Sequence, residues 1–227
     1  MRTFLFLHGW GGNENSFAPI SQYFARRSDC RVLTPALPCP PRTVYTLENY
    51  ADDLVKYLHE NQVTSCVVIA HSFGARLVAL LNARYPQLFT HIIITGGAGL
   101  ITRKPWHIRF KIWWYKLRRR WGWQVSGGSA DYQKLDANGK QTFQNIIHRD
   151  LSPEVQKITA PLLLIWGSQD RDTPLQQMRR WCRLVPHAQT IIYRGQGHFA
   201  YLDASARFIG DVVRFLGVQH GGVDDVL

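Results

Sequence analysis

Residues Ala70-His71-Ser72-Phe73-Gly74 join a predicted strand directly to a predicted helix, and this junction is the strongest indication of the fold in the sequence. Residues 66–69 before it are apolar and mostly β-branched, which favours a buried strand. Residues 75–81 after it are apolar apart from one arginine, which is typical of a helix packed against a sheet. A serine on so sharp a turn has its hydroxyl pushed clear of the backbone, and small residues two positions away on each side let strand and helix approach.

Three other predicted strands are followed by a glycine-rich loop, an acid and a histidine respectively. A reactive serine needs partners of these kinds. Residues 5–7 lead into the glycine-rich loop His8-Gly9-Trp10-Gly11-Gly12. Residues 162–166 are followed by Asp170, and residues 190–193 are followed by His198. The order along the chain is therefore a glycine-rich loop, a serine, an acid and a histidine.

This order resembles that of the α/β-hydrolase superfamily, in its serine hydrolase and esterase branch, over nearly the whole chain. The resemblance implies an α/β fold, with a compact, mostly parallel sheet of about six strands flanked by helices and a helical lid insertion. The predicted strands are 3–7, 31–34, 66–70, 92–95, 162–166 and 190–193. The predicted helices are 16–27, 47–61, 73–85, 174–185 and 200–216.

The long interval between Gly99 and Ala160 shows no strand pattern and exceeds what a crossover between parallel strands needs. In the superfamily that it resembles, such an insertion forms a lid over the site. We therefore predict a hydrolase core at 1–98 and 160–217, a lid insertion at 99–159 and a flexible tail at 218–227.

The predicted catalytic residues are Ser72, His198 and Asp170. A serine hydroxyl attacks an ester only when a base takes its proton, and an imidazole titrates near the working pH. An acid would hold the other ring nitrogen and stabilise the imidazolium. Asp172 is the rival acid, but the spacing from Gly167 to Pro174 matches the family pattern for Asp170, and we interpret Asp172 as a cap of the following helix.

A negative oxygen in the tetrahedral intermediate needs two donors. The backbone N–H of Phe73 is predicted as one, and the resemblance assigns that of Trp10 as the other. The predicted substrate pocket contains Trp10, Trp106, Phe110 and Trp113. We find no spacing typical of metal ligands or of a dinucleotide loop, so we expect neither a metal nor a cofactor.

The formal net charge of +11 is concentrated in one stretch between residues 101 and 123, which holds no acid. Its basic residues are Arg103, Lys104, Arg109, Lys111, Lys116, Arg118, Arg119 and Arg120, and its tryptophans are Trp106, Trp113, Trp114, Trp121 and Trp123. One interpretation is a lid helix with packed aromatics and solvated charges. The other is a basic surface for an acidic partner, either a carrier protein or a membrane surface, with no nucleic acid expected.

The leading functional hypothesis is a serine hydrolase that cleaves small carboxylic esters, of short or medium acyl length, through an acyl-enzyme. The loop His8-Gly9-Trp10-Gly11 also resembles that of esterases acting on methyl esters presented by an acidic carrier protein. Lactone, thioester and C–C bond hydrolysis remain alternatives on the same fold, as does a protein that binds membrane or nucleic acid through the basic stretch.

The four cysteines show no paired spacing, which favours a cytoplasmic protein, although a Cys30–Cys39 disulfide is a second interpretation.

Overall fold

One parallel sheet of six strands organises the chain. The computed structural model describes residues 1–39, 41–101 and 135–217. The strands are β1 (Arg2–Leu7), β2 (Cys30–Leu33), β3 (Cys66–His71), β4 (Phe89–Thr95), β5 (Leu162–Gly167) and β6 (Gln189–Tyr193). Their order in the sheet is β2-β1-β3-β4-β5-β6, and every neighbouring pair is parallel. The predicted α/β fold, with a parallel sheet of six strands flanked by helices, is confirmed, and the six predicted strands match to within a few residues at their ends.

The helices of the described residues alternate with these strands. They are α1 (Ala18–Ala25), α2 (Leu47–Glu60), α3 (Phe73–Arg84), α4 (Ala137–Ile147), α5 (Ser152–Val155), α6 (Leu175–Leu184), α7 (Ala200–Asp203) and α8 (Ser205–Phe215). The single helix predicted over 200–216 is two helices, because the backbone at Ala204 leaves the helical region with φ −128° and ψ 46°. None of the helices in the described ranges is long and apolar enough to cross a membrane.

Each face of the sheet is covered by its own apolar cluster. The strand side chains alternate between the two clusters, as the two-residue period of a strand requires. One cluster, shared with α2, α3 and α6, includes Leu7, Val68, Ile94, Leu77 and Trp181. The other, shared with α1 and α8, includes Phe6, Val67, Ile93, Phe24 and Phe208. Burial on both faces makes the central strands a rigid base, and the loops that follow them are thereby fixed in position.

The described part of the predicted insertion packs against the core. Ile146 and Val155 belong to the same apolar cluster as α3. The buried guanidinium of Arg76 in α3 donates to the backbone oxygens of Ile146 (2.8 Å) and Arg149 (3.2 Å). Thr142 is buried and its hydroxyl accepts a hydrogen bond from the backbone N–H of Tyr45. The division into core and lid stays a prediction, because residues 102–134 and the predicted tail lie outside the described residues.

Candidate active site

Ser72 lies on a strained turn between β3 and α3. Its φ of 47° and ψ of −105° are rare for a residue with a side chain. The turn is held by its backbone, since Ser72 N–H donates to the Thr95 oxygen (3.2 Å) and the Ser72 oxygen accepts from Ala98 N–H (3.1 Å). A Cβ at Gly74 would lie 2.4 Å from the backbone oxygen of Leu7, so only glycine fits there. The local geometry is that of the predicted strand-to-helix turn.

Asp170 and His198 form a hydrogen-bonded pair at the ends of β5 and β6. The Nδ1 of His198 lies 2.8 Å from Oδ2 of Asp170, whose carboxylate is buried. Burial raises the pKa of Asp170, but the hydrogen bonds from His198 and from the backbone N–H of Thr173 outweigh it, so the pKa lies below its usual value. Asp170 is therefore ionised near neutral pH, and it holds the proton of His198 on Nδ1, which leaves Nε2 as an acceptor.

Ser72 and His198 line the same cavity, which has a volume of about 380 Å³. Within the described ranges, the Ser72 hydroxyl makes no hydrogen bond, and neither does Nε2 of His198. Hydrogen bonds between catalytic groups often form only once substrate is bound. The structure thus brings all three predicted catalytic residues to one place, with the histidine hydrogen-bonded to its acid.

A larger cavity, of about 490 Å³, lies between the C-terminal ends of α2 and α3, and neither Ser72 nor His198 lines it.

The glycine-rich loop is fixed by the buried ring of His8. Its Nδ1–H donates to the Gly9 oxygen (2.8 Å), and its Nε2 accepts from the backbone N–H of Leu37 (3.0 Å). These two bonds require a neutral ring, and burial lowers the pKa of His8 in agreement with this. Across the part of the chain that the structure describes, the backbone N–H groups of Trp10 and Phe73 donate to no acceptor. They are thus available to a ligand, and their role as oxyanion donors stays a prediction.

The predicted pocket residues divide into two groups. Trp10 lines the cavity, and its ring meets that of Phe73 edge-on at 5.7 Å between centroids. Trp106, Phe110 and Trp113 lie outside the described residues. Phe143 of α4, which sequence reasoning missed, also lines the cavity and packs against Trp10 with 5.4 Å between ring centroids.

His71, the residue just before Ser72, also lines the cavity, although the sequence assigned it no role there. Its Nε2–H donates to the backbone oxygen of His198 at 3.1 Å, and the two ring centroids are 4.5 Å apart. Burial, followed by the nearby His198, lowers the pKa of His71 to about 3. His71 is therefore neutral at working pH and supports the loop that carries His198. A Cβ at Gly9 would lie 2.7 Å from Nδ1 of His71, which explains the glycine there.

The loop after Asp170 differs from the sequence interpretation. Asp172 does not cap a helix, because α6 begins at Leu175 with Pro174 as its N-cap residue and no capping hydrogen bond from a side chain. The interpretation of Asp172 as a cap was wrong. Its carboxylate is instead exposed and lines the cavity.

The side chains of Asp170, Asp172 and His198 are the one group in the described ranges that could hold a metal ion, with donor atoms within 4.8 Å of one another. Asp170 already accepts hydrogen bonds on both oxygens: from two backbone N–H groups on Oδ1, and from Thr173 and His198 on Oδ2. Hydrogen bonding therefore accounts for the closeness of Asp170 and His198, and the carboxylate of Asp172 is exposed beside them. Chemically, the arrangement presents a serine hydroxyl and an imidazole to one cavity, with an ionised acid bonded to the far side of that imidazole.

Comparison with known proteins assigns the chain to a family. The sequence profile of the alpha/beta hydrolase family matches residues 4–211, so the chain belongs to that family. The chain is 25% identical to the uncharacterized hydrolase YugF of Bacillus subtilis (strain 168), over 87% of this chain and 83% of that protein. It is 26% identical to the sn-1-specific diacylglycerol lipase ABHD11 of Xenopus tropicalis, over 92% of this chain and 76% of that protein. These relatives support a hydrolase.

A solved structure shows the same fold. The enol-lactonase from Burkholderia xenovorans LB400 superposes with a TM-score of 0.73 at 19% identity, over 95% of this chain and 91% of that chain. At that identity the likeness concerns the fold alone.

Proposed function

We propose that this member of the alpha/beta hydrolase family is a serine hydrolase that cleaves carboxylic esters through an acyl-enzyme. The observation that carries the proposal is the 2.8 Å bond between His198 Nδ1 and Oδ2 of the buried Asp170, together with the cavity that His198 and Ser72 both line. A buried acid bonded to one ring nitrogen leaves the other nitrogen to act as a base. The alternative is an ordinary surface ion pair between a histidine and an acid. The cavity that His198 shares with Ser72, and the strained turn that carries Ser72, argue against that alternative.

In the acylation step, His198 Nε2 takes the proton of the Ser72 hydroxyl as its oxygen attacks the ester carbonyl carbon. The carbonyl oxygen becomes negative and would accept hydrogen bonds from the backbone N–H groups of Trp10 and Phe73. The imidazolium then gives its proton to the leaving alcohol oxygen as the bond from carbon to that oxygen breaks. The acyl group remains on Ser72.

In the deacylation step, water takes the place of the alcohol. His198 removes a proton from water, the oxygen attacks the acyl carbon, and the proton returns to Ser72 as the acid leaves. Asp170 stays ionised throughout, because two backbone N–H groups and the Thr173 side chain stabilise its charge in addition to His198. Its task is to orient the ring and to stabilise the transient imidazolium.

The lining of the cavity supports an ester with a small apolar acyl group. The rings of Trp10, Phe143 and Tyr201 contribute to it, and its volume of about 380 Å³ is at the low end for small-molecule sites. The relative ABHD11 is named a diacylglycerol lipase, and diacylglycerol is a carboxylic ester. We expect turnover of p-nitrophenyl acetate and butyrate to exceed that of the palmitate ester at equal concentration below the solubility limit.

The first test compares Ser72→Ala with Ser65→Ala, a substitution at an exposed serine just before β3. The Ser72→Ala variant should lose p-nitrophenyl butyrate turnover by about 10⁴-fold or more, because no nucleophile remains. It should also lose labelling by a fluorophosphonate probe, while Ser65→Ala keeps both. Labelling that persists in Ser72→Ala would remove Ser72 from the mechanism.

An acidic partner for the basic stretch at 101–123 is a further part of the proposal, carried by eight cations without an acid in that stretch. Such attraction would speed association and weaken with salt. We expect binding to an acidic acyl carrier protein to fall steeply between low salt and about 0.5 M salt, where the screening length is only a few ångströms. Small neutral esters should show no comparable salt dependence, and binding that salt leaves unchanged would exclude this role.

A further inference from the structure

Thr173 is a buried threonine that touches three parts of the candidate site at once. Its backbone N–H donates to Asp170 Oδ1 at 2.8 Å. Its hydroxyl lies 2.8 Å from Asp170 Oδ2 and 2.9 Å from the backbone oxygen of Gly96. The same hydroxyl oxygen lies 3.3 Å from Nδ1 of His198. The side chain therefore stands at the point where acid, histidine and the end of β4 meet.

The surroundings hold Thr173 in this position. The indole N–H of Trp166, which is fully buried in β5, donates to the Thr173 backbone oxygen at 2.6 Å. Gly96 has a positive φ of 53°, and a Cβ there would lie 3.0 Å from His198 Nδ1. The absence of a side chain at Gly96 therefore leaves room for the ring and keeps a backbone oxygen facing the hydroxyl. Thr173 is fixed through both its backbone groups, so its hydroxyl has little freedom beyond rotation.

One hydroxyl proton serves two acceptors. A threonine hydroxyl carries a single hydrogen, so it donates either to Asp170 Oδ2 or to the Gly96 oxygen at any moment. When it donates to Asp170, Oδ2 accepts two hydrogen bonds, one from Thr173 and one from His198 Nδ1–H. The carboxylate charge is then stabilised by one more hydrogen bond. When it donates to Gly96, His198 is the only side chain of the described residues that still donates to Asp170 Oδ2. The rotation of the hydroxyl therefore changes how strongly the carboxylate attracts the imidazole.

We propose that Thr173 is a positioning residue, whose hydroxyl fixes the Asp170 carboxylate and limits how strongly that carboxylate stabilises protonated His198. This inference rests on the proposed function, because it assigns Thr173 an effect on the base of that reaction. Thr173 acts through Asp170 and His198. Thr173 is not among the residues that line the cavity, so it is not in a position to touch a substrate bound there.

The direction of the effect follows from the hydrogen bonds. Without the hydroxyl, Asp170 Oδ2 has one donor fewer, so the carboxylate becomes a better acceptor and favours the charged imidazole. The acid limb of the profile of kcat/KM against pH, which reports protonation of the free base, then moves to higher pH. Among the described residues, the other titratable groups near His198 are the neutral His71, the exposed Asp172 and the phenol of Tyr201, which lines the same cavity, and the substitution changes none of them.

The test uses Thr173→Val, which keeps the branched shape, and Thr173→Ser, which keeps the hydroxyl. Thr173→Val should shift the acid limb upward by about 0.5–1 pH unit, the size expected for one neutral hydrogen bond. Its kcat should fall about tenfold, with KM for p-nitrophenyl butyrate within about twofold of wild type, because ring orientation and not binding is affected. Thr173→Ser should restore the acid limb, since the hydroxyl reaches the same two acceptors.

The results distinguish failure of the inference on Thr173 from failure of the proposed function. An acid limb in Thr173→Val at the wild-type position overturns the inference, and so does a Thr173→Ser variant that shifts as far as valine while unfolding at the wild-type temperature. If Thr173→Val does not fold, Thr173→Ala takes its place and must show the same upward shift. If the wild type itself is not labelled at Ser72 by a fluorophosphonate, the proposed function has failed. Labelling at Ser72 with an unshifted limb means that only the inference on Thr173 has failed.

Discussion

The two halves of the candidate site are built by different means. On the acid–histidine side, one buried carboxylate accepts hydrogen bonds from four donors, and the ring of His198 is held through Nδ1. On the serine–oxyanion side, the Ser72 hydroxyl and the N–H groups of Trp10 and Phe73 have no partner among the described residues. That side is shaped instead by backbone strain and by glycines in close contact. On the acid–histidine side, the carboxylate oxygens are thus hydrogen-bonded before substrate binds. On the serine–oxyanion side, the hydroxyl and the two backbone N–H groups are left for hydrogen bonds with substrate.

The largest expected effect on kcat is that of Asp170→Asn, which removes the carboxylate of the acid–histidine side. Asp172→Asn is its matched control. An amide at 170 can offer its N–H₂ to the ring and favour the wrong tautomer, so kcat should fall about 10³–10⁴-fold. Asp172 is exposed and makes no side-chain hydrogen bond or ion pair within the described ranges, so its substitution should change kcat by less than about threefold. Turnover of p-nitrophenyl butyrate at pH 8 measures both. Equal losses in the two variants would revive Asp172 as the catalytic acid.

The serine–oxyanion side should instead be sensitive to the size of its glycines. Gly74→Ala would place a Cβ 2.4 Å from the Leu7 backbone oxygen, so β1 and α3 must separate. We expect a loss of about 2–3 kcal/mol in the free energy of unfolding, measured with urea, together with reduced kcat.

Gly210→Ala is the matched control, because nothing lies within 4 Å of a Cβ at that position in α8. Alanine there should stabilise the protein by about 0.5–1 kcal/mol, since helical glycine is costly. A Gly74→Ala variant as stable as Gly210→Ala would show that the close approach of helix and strand is not needed.

A smaller effect concerns pH and the ring of His71, which connects the two sides. Its pKa is lowered to about 3, chiefly by burial, whereas an unfolded histidine titrates near 6.5. Between these values only the unfolded chain binds the proton, so this contribution to stability is complete above pH 6.5 and declines as the pH falls toward 3. One such group contributes a slope of at most about 1.4 kcal/mol per pH unit.

Urea unfolding at pH 7.5 and at pH 5 tests this. The wild type should lose more stability on acidification than His71→Asn does, by about 1–2 kcal/mol. The buried His8 contributes with the same sign in both proteins. His187→Asn, at an exposed position, should behave as the wild type. An unaltered pH dependence in His71→Asn would mean that the buried ring carries no such penalty.

The sheet and the three candidate catalytic residues could be predicted because each depends on a local pattern. Strands buried on both faces appear as apolar runs, and a serine between a strand and a helix is recognisable from its neighbours alone. The chain order of serine, acid and histidine then restricted the fold before any distance was known.

The residues that support the site could not be predicted in the same way. His71 reaches the backbone of His198, which lies far away in sequence, and the contacts of Thr173 with Gly96 and His198 exist only once β4, β5 and β6 lie side by side. Phe143 was missed because its ring meets Trp10 only after α4 has packed on the core. Asp172 was misassigned because the backbone at Pro174 is extended, with ψ 159°, so the helix begins one residue later than expected. Such roles depend on tertiary contacts that no spacing encodes.

In the proposed mechanism Ser72 is the nucleophile, and the pair of His198 and Asp170 activates it. Rapid mixing with p-nitrophenyl acetate, acid quenching and peptide mass spectrometry test it most directly, because they locate the acyl group during turnover. We expect an acetyl group on the peptide that contains Ser72 in the wild type, and none there within the turnover time in His198→Ala. An acetyl group on another residue, or one that forms on Ser72 at the wild-type rate in His198→Ala, would contradict it.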